Sequence, residues 1–126
     1  MIYGIGTDIM CINQLNVDYL QDGDPFLIKT FSINEIAEGK LRSNPLVYFA
    51  ERFSAKEAVY KAINYSGPQF PFSDIEILNK ENGKPYVTLF NKAKDFASEN
   101  RIRIIHISLS YDSEYAVSYA VAESWG

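Results

Sequence analysis

Residues 44–62 read NPLVYFAERFSAKEAVYKA and predict the longest helix of the chain. Asn44 is a favourable N-cap, Pro45 suits the first helical position, and Gly67 lies beyond the far end. At 100° per residue one side of this helix is an apolar stripe, formed by Leu46, Phe49, Ala50, Phe53 and Tyr60. The opposite side is small, with Ala55, Ala58 and Ala62. We therefore expect a buried helix against which another element packs closely.

Two ionisable residues lie on or beside the apolar stripe of this helix. Glu57 falls in its middle, and Lys61 follows four residues later on nearly the same line. A buried carboxylate is costly unless it is paired or binds a metal. The spacing fits an ion pair between Glu57 and Lys61. It also fits a metal-ligating or catalytic Glu57, and spacing alone leaves both interpretations open.

The N-terminus alternates in the manner of a strand. One face carries Met1, Tyr3, Ile5, Thr7 and Ile9, and the other carries Ile2, Gly4, Gly6 and Asp8. Glycines beside Asp8 leave space for a backbone or a ligand to approach its carboxylate. Asp8 is therefore interpreted either as a cap for the following segment or as a ligand.

The remaining elements complete an α+β pattern. We expect a capping box at Ser32–Glu35 with Gly39 as the helix stop, and a helix from the cap Asn91 to about Asn100. The expected strands are 74–78, 86–90, 102–110 and 115–123, with a hairpin turn at Asn82-Gly83-Lys84-Pro85. The sequence thus predicts a single domain over residues 1–126, with an antiparallel sheet packed on the long helix.

Composition excludes several classes of protein. A chain of 126 residues suits one domain, and its net charge of −4 argues against nucleic acid as the main partner. No run approaches the ~18 apolar residues of a membrane span, and the N-terminus is not a signal peptide. The single Cys11 fits a cytoplasmic location. A chain this short does not easily form a deep cleft, so a neighbouring subunit would help to complete a site.

Two carboxylates, Asp8 and Glu57, are few for a metal site. That number suits Mg²⁺, which keeps several waters and binds substrate phosphates. The only histidine, His106, shares a strand face with Ser108 and Ser110. This strip is either a satisfied core position or a donor-rich surface that meets phosphate. The chain has no Walker or dinucleotide loop and no serine-hydrolase elbow.

These same segments resemble the holo-acyl-carrier-protein synthases, the small phosphopantetheinyl transferases. Residues 4–9, GIGTDI, are similar to the start of that family. Residues 52–58, RFSAKEA, followed by Lys61-Ala62, resemble its central helix signature. Residues 72–77, FSDIEI, and 82–86, NGKPY, match its middle strand and turn, and residues 106–110, HISLS, with Tyr115-Ala116 match its last strand pair.

The resemblance implies transfer of 4′-phosphopantetheine from coenzyme A to a serine of an acyl carrier protein, in fatty acid biosynthesis, with release of adenosine 3′,5′-bisphosphate. It implies Mg²⁺ bound by Asp8 and Glu57, and catalysis by these two residues with Lys61. Cofactor contacts are expected from Arg52, Lys61, Gly83, Pro85, His106 and Ser108. The family is typically homotrimeric, with each active site between two subunits.

Several positions depart from the family's pattern. The segment after the first motif has no Lys or Arg before Lys29, so an acidic carrier would be poorly steered there. The basic residues left for docking are Lys29, Lys40, Arg42 and Lys56. Glu51 replaces a common glycine and Tyr111 replaces a common histidine. A diverged, non-catalytic member that binds coenzyme A or a partner is therefore the alternative interpretation.

Overall fold

The computed structural model describes all 126 residues. The chain forms five strands and four α-helices, with short 3₁₀ turns at Ile12–Gln14, Val17–Leu20 and Phe72–Asp74. In chain order the elements are β1 (Ile2–Cys11), α1 (Pro25–Thr30), α2 (Ile33–Lys40), α3 (Pro45–Ala62), β2 (Ile75–Asn79), β3 (Pro85–Leu89), α4 (Asn91–Glu99), β4 (Ile102–Tyr111) and β5 (Tyr115–Ser124). The predicted α+β class with antiparallel strands is confirmed.

The strands form two antiparallel sheets rather than one. The larger sheet has the order β1-β5-β4, and the β2–β3 hairpin forms a separate two-stranded sheet. Gly83 lies in the hairpin turn with φ of 87°, a conformation that favours glycine. None of the helices is both long and apolar enough to cross a membrane.

Helix α3 begins as predicted. Asn44 caps it by accepting a hydrogen bond from the backbone N–H of Val47 at 3.4 Å, and Pro45 is its first residue. The helix lies across the inner face of the larger sheet, and its alanines are fully buried there.

The glycines of β1 allow this close packing. A methyl group added at Gly6 would lie 2.0 Å from the carbonyl oxygen of Ala58, and one added at Gly4 would lie 2.1 Å from that of Ala62. The small faces that the sequence placed on β1 and on α3 therefore pack directly against each other. As a result, the next inward-facing residue of β1, Asp8, lies beside the helix.

We expect Gly6→Ala to destabilise the protein by about 3 kcal/mol, the upper end of the usual range for overpacking a core. The added methyl meets backbone rather than a movable side chain, so strand and helix must separate. Urea unfolding followed by circular dichroism measures the loss. A loss below about 1 kcal/mol would contradict close packing of β1 on α3.

Three local expectations were wrong or incomplete. Helix α2 has the predicted capping box, but it continues through Gly39 to Lys40. Gly39 is required by packing, because a methyl group there would lie 2.4 Å from the ring of Phe49. Asn91 does not cap α4; its side-chain amide donates to Asp74 at 3.0 Å. Helix α1 was not expected, although Asp24 caps it through the N–H of Phe26 at 2.8 Å.

The two faces of the larger sheet differ in burial. The inner face packs on α3 and carries Ala116, Ser118, Ala120 and Ala122 of β5, all fully or almost fully buried. The outer face carries exposed apolar side chains, including Ile5 at 70%, Ile9 at 65% and Tyr119 at 58% exposure. Contiguous exposed apolar surface of this kind typically marks an interaction site.

Candidate functional site

Asp8 and Lys61 meet at the β1 edge of the larger sheet. The Nζ of Lys61 lies 3.7 Å from an Asp8 carboxylate oxygen and donates to the carbonyl of Thr7 at 3.0 Å. No ion pair joins Glu57 to Lys61, so this interpretation of their spacing is wrong. Asp8 lies inside β1 and caps nothing, which removes the alternative role for that residue.

Buried hydroxyl groups hold the backbone at Asp8. Ser54 of α3 and Ser118 of β5 are fully buried and hydrogen-bond to each other at 2.8 Å. The Ser54 hydroxyl also donates to the carbonyl oxygen of Asp8 at 3.3 Å. Helix and sheet are thus joined directly under the carboxylate, which fixes its position relative to α3.

Glu57 lies close enough to Asp8 for the two charges to interact. Burial raises the pKa of Glu57 above its usual range, the Asp8 carboxylate raises it further, and Lys61 opposes both effects. Two neighbouring carboxylates with one lysine fit a divalent cation that takes its other ligands from phosphate and water. No group of three or more His, Cys, Asp or Glu side chains in the chain is placed to hold a metal ion.

The raised pKa gives a stability prediction for the metal-free protein. Because the folded-state pKa lies above the unfolded value, protonated Glu57 favours folding below the unfolded pKa, and this contribution is lost as pH rises through the folded pKa. With a metal chelator at pH 8, we expect Glu57→Gln to raise Tm by roughly 1–4 °C, a value reduced for solvent screening.

Calorimetry at pH 8 and at pH 4 tests this prediction. The difference in Tm between Glu57→Gln and wild type should shrink toward pH 4, where both side chains are neutral in the folded protein. Asp18→Asn, which changes an exposed carboxylate outside the cluster, is the matched control. An equal difference at both pH values would contradict a raised pKa for Glu57.

Other predicted site residues lie together near β4 and the β2–β3 hairpin. Gly83, Pro85 and Ser108 line one cavity of about 260 Å³. Pro85 and His106 line a second cavity of about 380 Å³, which also contains Lys80, Lys84 and Tyr86. His106 is half exposed and is therefore not a core histidine. The two cavities share Pro85 and Ile107, so they form one continuous groove with lysines at one end.

The predicted site residues of one chain therefore fall into two separate groups. Asp8, Glu57 and Lys61 form the first group, the Asp8 cluster, which lies at the β1 edge with Asp8 facing inward. His106 and Ser108 lie on β4 at the opposite edge and face outward. The edges are two strand spacings apart, roughly 10 Å, and the sheet lies between the groups. One chain cannot close both groups around the same small reacting centre.

Arg52 and Glu51 contribute to the groove in ways that the sequence did not indicate. Arg52 is only 3% exposed; it lies against the ring of Tyr48 and donates to Asn79 at 2.9 Å. Asn79 lines the 260 Å³ cavity, so this geometry favours support of the cavity wall over the expected direct contact with cofactor phosphates. Glu51 lines the same cavity, and burial raises its pKa. In the sequence, only the replacement of the family's common glycine by Glu51 drew attention to this position.

An aromatic cavity of about 430 Å³ lies beside Glu57. Phe53 and Tyr60, on the same face of α3 as Glu57, line it together with Phe26 and Phe72, and Lys29 lies at its wall. The sequence indicated the stripe on α3 but not the cavity, because Phe26 and Phe72 are distant in the chain and meet α3 only in the fold. The cavity offers an apolar surface that includes the helical neighbours of Glu57, Phe53 and Tyr60.

Comparison with known proteins shows to which family the chain belongs. A family profile described as the 4′-phosphopantetheinyl transferase superfamily matches residues 4–120. A holo-acyl-carrier-protein synthase from Halothermothrix orenii is 35% identical over 123 residues, which cover 98% of each chain. The chain belongs to the holo-acyl-carrier-protein synthase family. It is accordingly an enzyme, and the expected family is confirmed.

Solved structures of this family have the same fold. The holo-acyl-carrier-protein synthase of Neisseria meningitidis matches with a TM-score of 0.87 at 30% identity, over 98% of this chain and 100% of that one. The Bacillus anthracis enzyme, solved in complex with coenzyme A (3′,5′-ADP), matches with a TM-score of 0.78 at 32% identity, over 98% of each chain. The phosphopantetheinyl-transferase-like fold is therefore confirmed.

Proposed function

We propose that the protein transfers 4′-phosphopantetheine from coenzyme A to a serine of an acyl carrier protein and releases adenosine 3′,5′-bisphosphate. We further propose that Asp8 and Glu57 hold Mg²⁺ during this reaction, and that the reaction takes place in the cytoplasm. The observation that carries the proposal is the cluster of Asp8, Glu57 and Lys61 beside an apolar cavity. The coenzyme A complex of a related enzyme supports the choice of donor.

The residues of this cluster suit phosphoryl transfer, which depends on positioning and charge neutralisation more than on covalent catalysis. Asp8 and Glu57 would hold Mg²⁺, which would supply charge neutralisation for the phosphates of coenzyme A. The half-exposed Lys61 ammonium is free to turn from Asp8 toward a phosphate. Glu57 would accept the proton of the carrier serine, directly or through a water that the metal would hold.

We infer that each active site is completed by a second copy of the chain, in a homotrimer as in the family. The groove with His106 and Ser108 would hold the nucleotide part of coenzyme A, and the Asp8 cluster of a neighbouring copy would hold the pyrophosphate. The location of the two groups on opposite edges and faces of the sheet supports this arrangement. The exposed apolar outer face provides surface for contact between copies.

Recognition of the carrier depends on few basic residues. Of the four considered for docking, Lys56 is fully buried, Lys40 pairs with Asp22, and Arg42 pairs with Glu38. Lys29 is exposed and makes no ion pair, and it lines the aromatic cavity beside Glu57. The expectation of a docking patch that includes Lys56 is therefore wrong. We propose that the carrier contacts this apolar cavity with Lys29 as its nearest cation.

Mass spectrometry of apo carrier proteins incubated with coenzyme A and Mg²⁺ tests the function. We expect a gain of one phosphopantetheine mass, which Asp8→Ala and metal chelation abolish and Asp18→Ala leaves unchanged. Binding of coenzyme A by calorimetry without transfer to any carrier of the same organism would overturn the proposal. Full activity in Asp8→Ala would remove that residue from the site.

A further inference from the structure

Glu123 of β5 bridges the side chains of His106 and Arg103 on β4. One carboxylate oxygen lies 2.9 Å from His106 Nε2, and the other lies 2.6 Å from Arg103 Nη2. The Arg103 guanidinium also lies over the ring of Trp125, 5.6 Å from its centroid. These four side chains form the Glu123 cluster. Neither catalysis by the Asp8 cluster nor folding of the core accounts for it, because it lies outside both.

The strand register produces this arrangement. His106 is opposite Val121 and Ile104 is opposite Glu123, so Glu123 is the diagonal neighbour of His106 on the outer face. The register shifts between Ile102 and Ile104. Such irregularities re-aim side chains, and this one lets Arg103 reach the same carboxylate. His106 and Arg103, three residues apart, are thereby held by a single carboxylate.

Glu123 does not itself line the neighbouring groove, whereas His106 does. The cavity beside His106 also contains Lys80, Lys84 and Tyr86 from the hairpin. A phosphate in this cavity would meet the imidazole and both ammonium groups, with Glu123 behind the ring. Because Nε2 of His106 faces Glu123, the other ring nitrogen, Nδ1, is the one left to face a ligand.

We propose that Glu123 is a positioning residue, which holds the imidazole of His106 and the guanidinium of Arg103 so that Nδ1 of His106 donates to a phosphate of the nucleotide. This inference rests on the proposed binding of coenzyme A in the groove. In the complex Glu123 and the phosphate would act as the two anionic acceptors for the ring nitrogens.

The carboxylate is suited to this role because it stays ionised. Hydrogen bonds from Arg103 and then from His106 lower the pKa of Glu123 to about 2. Glu123 is therefore an acceptor at any pH at which the enzyme works. The same arrangement, a carboxylate that fixes the orientation of a histidine through one ring nitrogen, is common where the other nitrogen binds a ligand.

Nitrogen NMR of the imidazole tests the geometry independently of activity. His106 is the only histidine, so a protein without a histidine tag gives a single set of ring signals. We expect a protonated Nε2 in the free wild type, and a shift of Nδ1 on addition of adenosine 3′,5′-bisphosphate. A ring protonated only at Nδ1, or one averaging equally between tautomers, would overturn the proposal even if transfer is never detected.

Binding of adenosine 3′,5′-bisphosphate to Glu123→Gln tests the consequence. Loss of positioning should weaken binding about tenfold, the effect of one hydrogen bond to a charged group. A pure charge effect has the opposite sign, because removing an acid near a phosphate strengthens binding. Unchanged or tighter binding would therefore overturn the proposal.

Controls separate positioning from damage to the fold. Glu114→Gln changes an exposed acid in the β4–β5 turn and should leave binding unchanged. In a His106→Ala background, Glu123→Gln should have a much smaller effect, and an undiminished effect would contradict action through the ring. In the active enzyme Glu123→Gln should raise the KM for coenzyme A while kcat stays within about twofold of wild type, because the Asp8 cluster is untouched.

Discussion

Asp8→Asn and His106→Ala proteins, each impaired alone when coenzyme A is below its KM, are expected to recover transfer activity when they assemble together. Asp8→Asn removes a charge from the cluster proposed to hold Mg²⁺, and His106→Ala removes a contact from the groove proposed to hold the nucleotide. We expect Asp8→Asn to lose at least about 100-fold in kcat/KM, as is usual for loss of a group that stabilises developing charge. Each variant keeps the group that the other has lost.

The expected recovery follows from the proposed arrangement of subunits. If each site combines the Asp8 cluster of one copy with the groove of its neighbour, every mixed trimer has one fully wild-type site, about one third of its sites. Co-expression with two different tags, followed by sequential purification, yields mixed oligomers. Transfer by these oligomers is measured by mass spectrometry of the carrier.

A matched pair of variants distinguishes complementation from nonspecific stabilisation. Asp8→Asn and Glu57→Gln damage the same group, so their mixed oligomers contain no intact site and should stay inactive. If Asp8→Asn with His106→Ala also stays inactive in verified mixed oligomers, each site lies within a single chain. That result would contradict the proposed inter-subunit arrangement, whereas the family assignment would still hold.

The sequence predicted those parts of the fold that local patterns determine. Helix α3 has its cap, its first proline and its small face within one continuous segment, and the structure agrees with all three. The hairpin around Gly83 is equally local. In contrast, the function of Gly39 depends on Phe49, ten residues away on another helix, and the pattern around Gly39 resembles a helix stop. The periodicity of one segment does not predict which residues of other segments it contacts.

In the candidate site, too, the features set by local patterns were predicted and those set by contacts between elements were not. The sequence placed Asp8 and Glu57 on the correct faces, but it left a Glu57–Lys61 ion pair open because helical spacing was the only geometry available. In the fold, β1 crosses α3 at its glycines and brings Asp8 to Lys61 instead. The bridge from Glu123 to His106 depends on strand register, which the sequence did not fix at the level of single residues.

Lys56 shows most clearly that local sequence patterns do not reveal contacts between elements. As a candidate for carrier docking, it was expected at the surface. It is fully buried and paired with Glu35, which is also fully buried, at 2.7 Å. Its ammonium donates further to the carbonyls of Phe72, at 3.0 Å, and Ile75. Glu35 in turn accepts from the N–H groups of Ser32 and Ile77 at 2.9 Å each. The pair thus joins α2, α3 and β2.

We expect Lys56→Met to destabilise the protein by about 3–5 kcal/mol, the usual cost of leaving a buried charge without its partner. Burial lowers the pKa of Lys56, and the Glu35 carboxylate opposes this effect, so each charge depends on the other. Urea unfolding measures the loss. Lys29→Met, at an exposed lysine without an ion pair, should change stability by less than about 0.5 kcal/mol.

A double variant separates the charge from the shape of this buried contact. Glu35→Gln removes the unpaired charge from a Lys56→Met background, and the amide oxygen still accepts one backbone N–H. The double variant should therefore be more stable than Lys56→Met alone, though less stable than wild type, because Ser32 or Ile77 loses its acceptor. If adding Glu35→Gln lowers stability further, the cost of Lys56→Met comes from lost packing rather than from a stranded carboxylate. In that case the ion pair is not what holds α2 and β2 against the segment of α3 that carries Glu57.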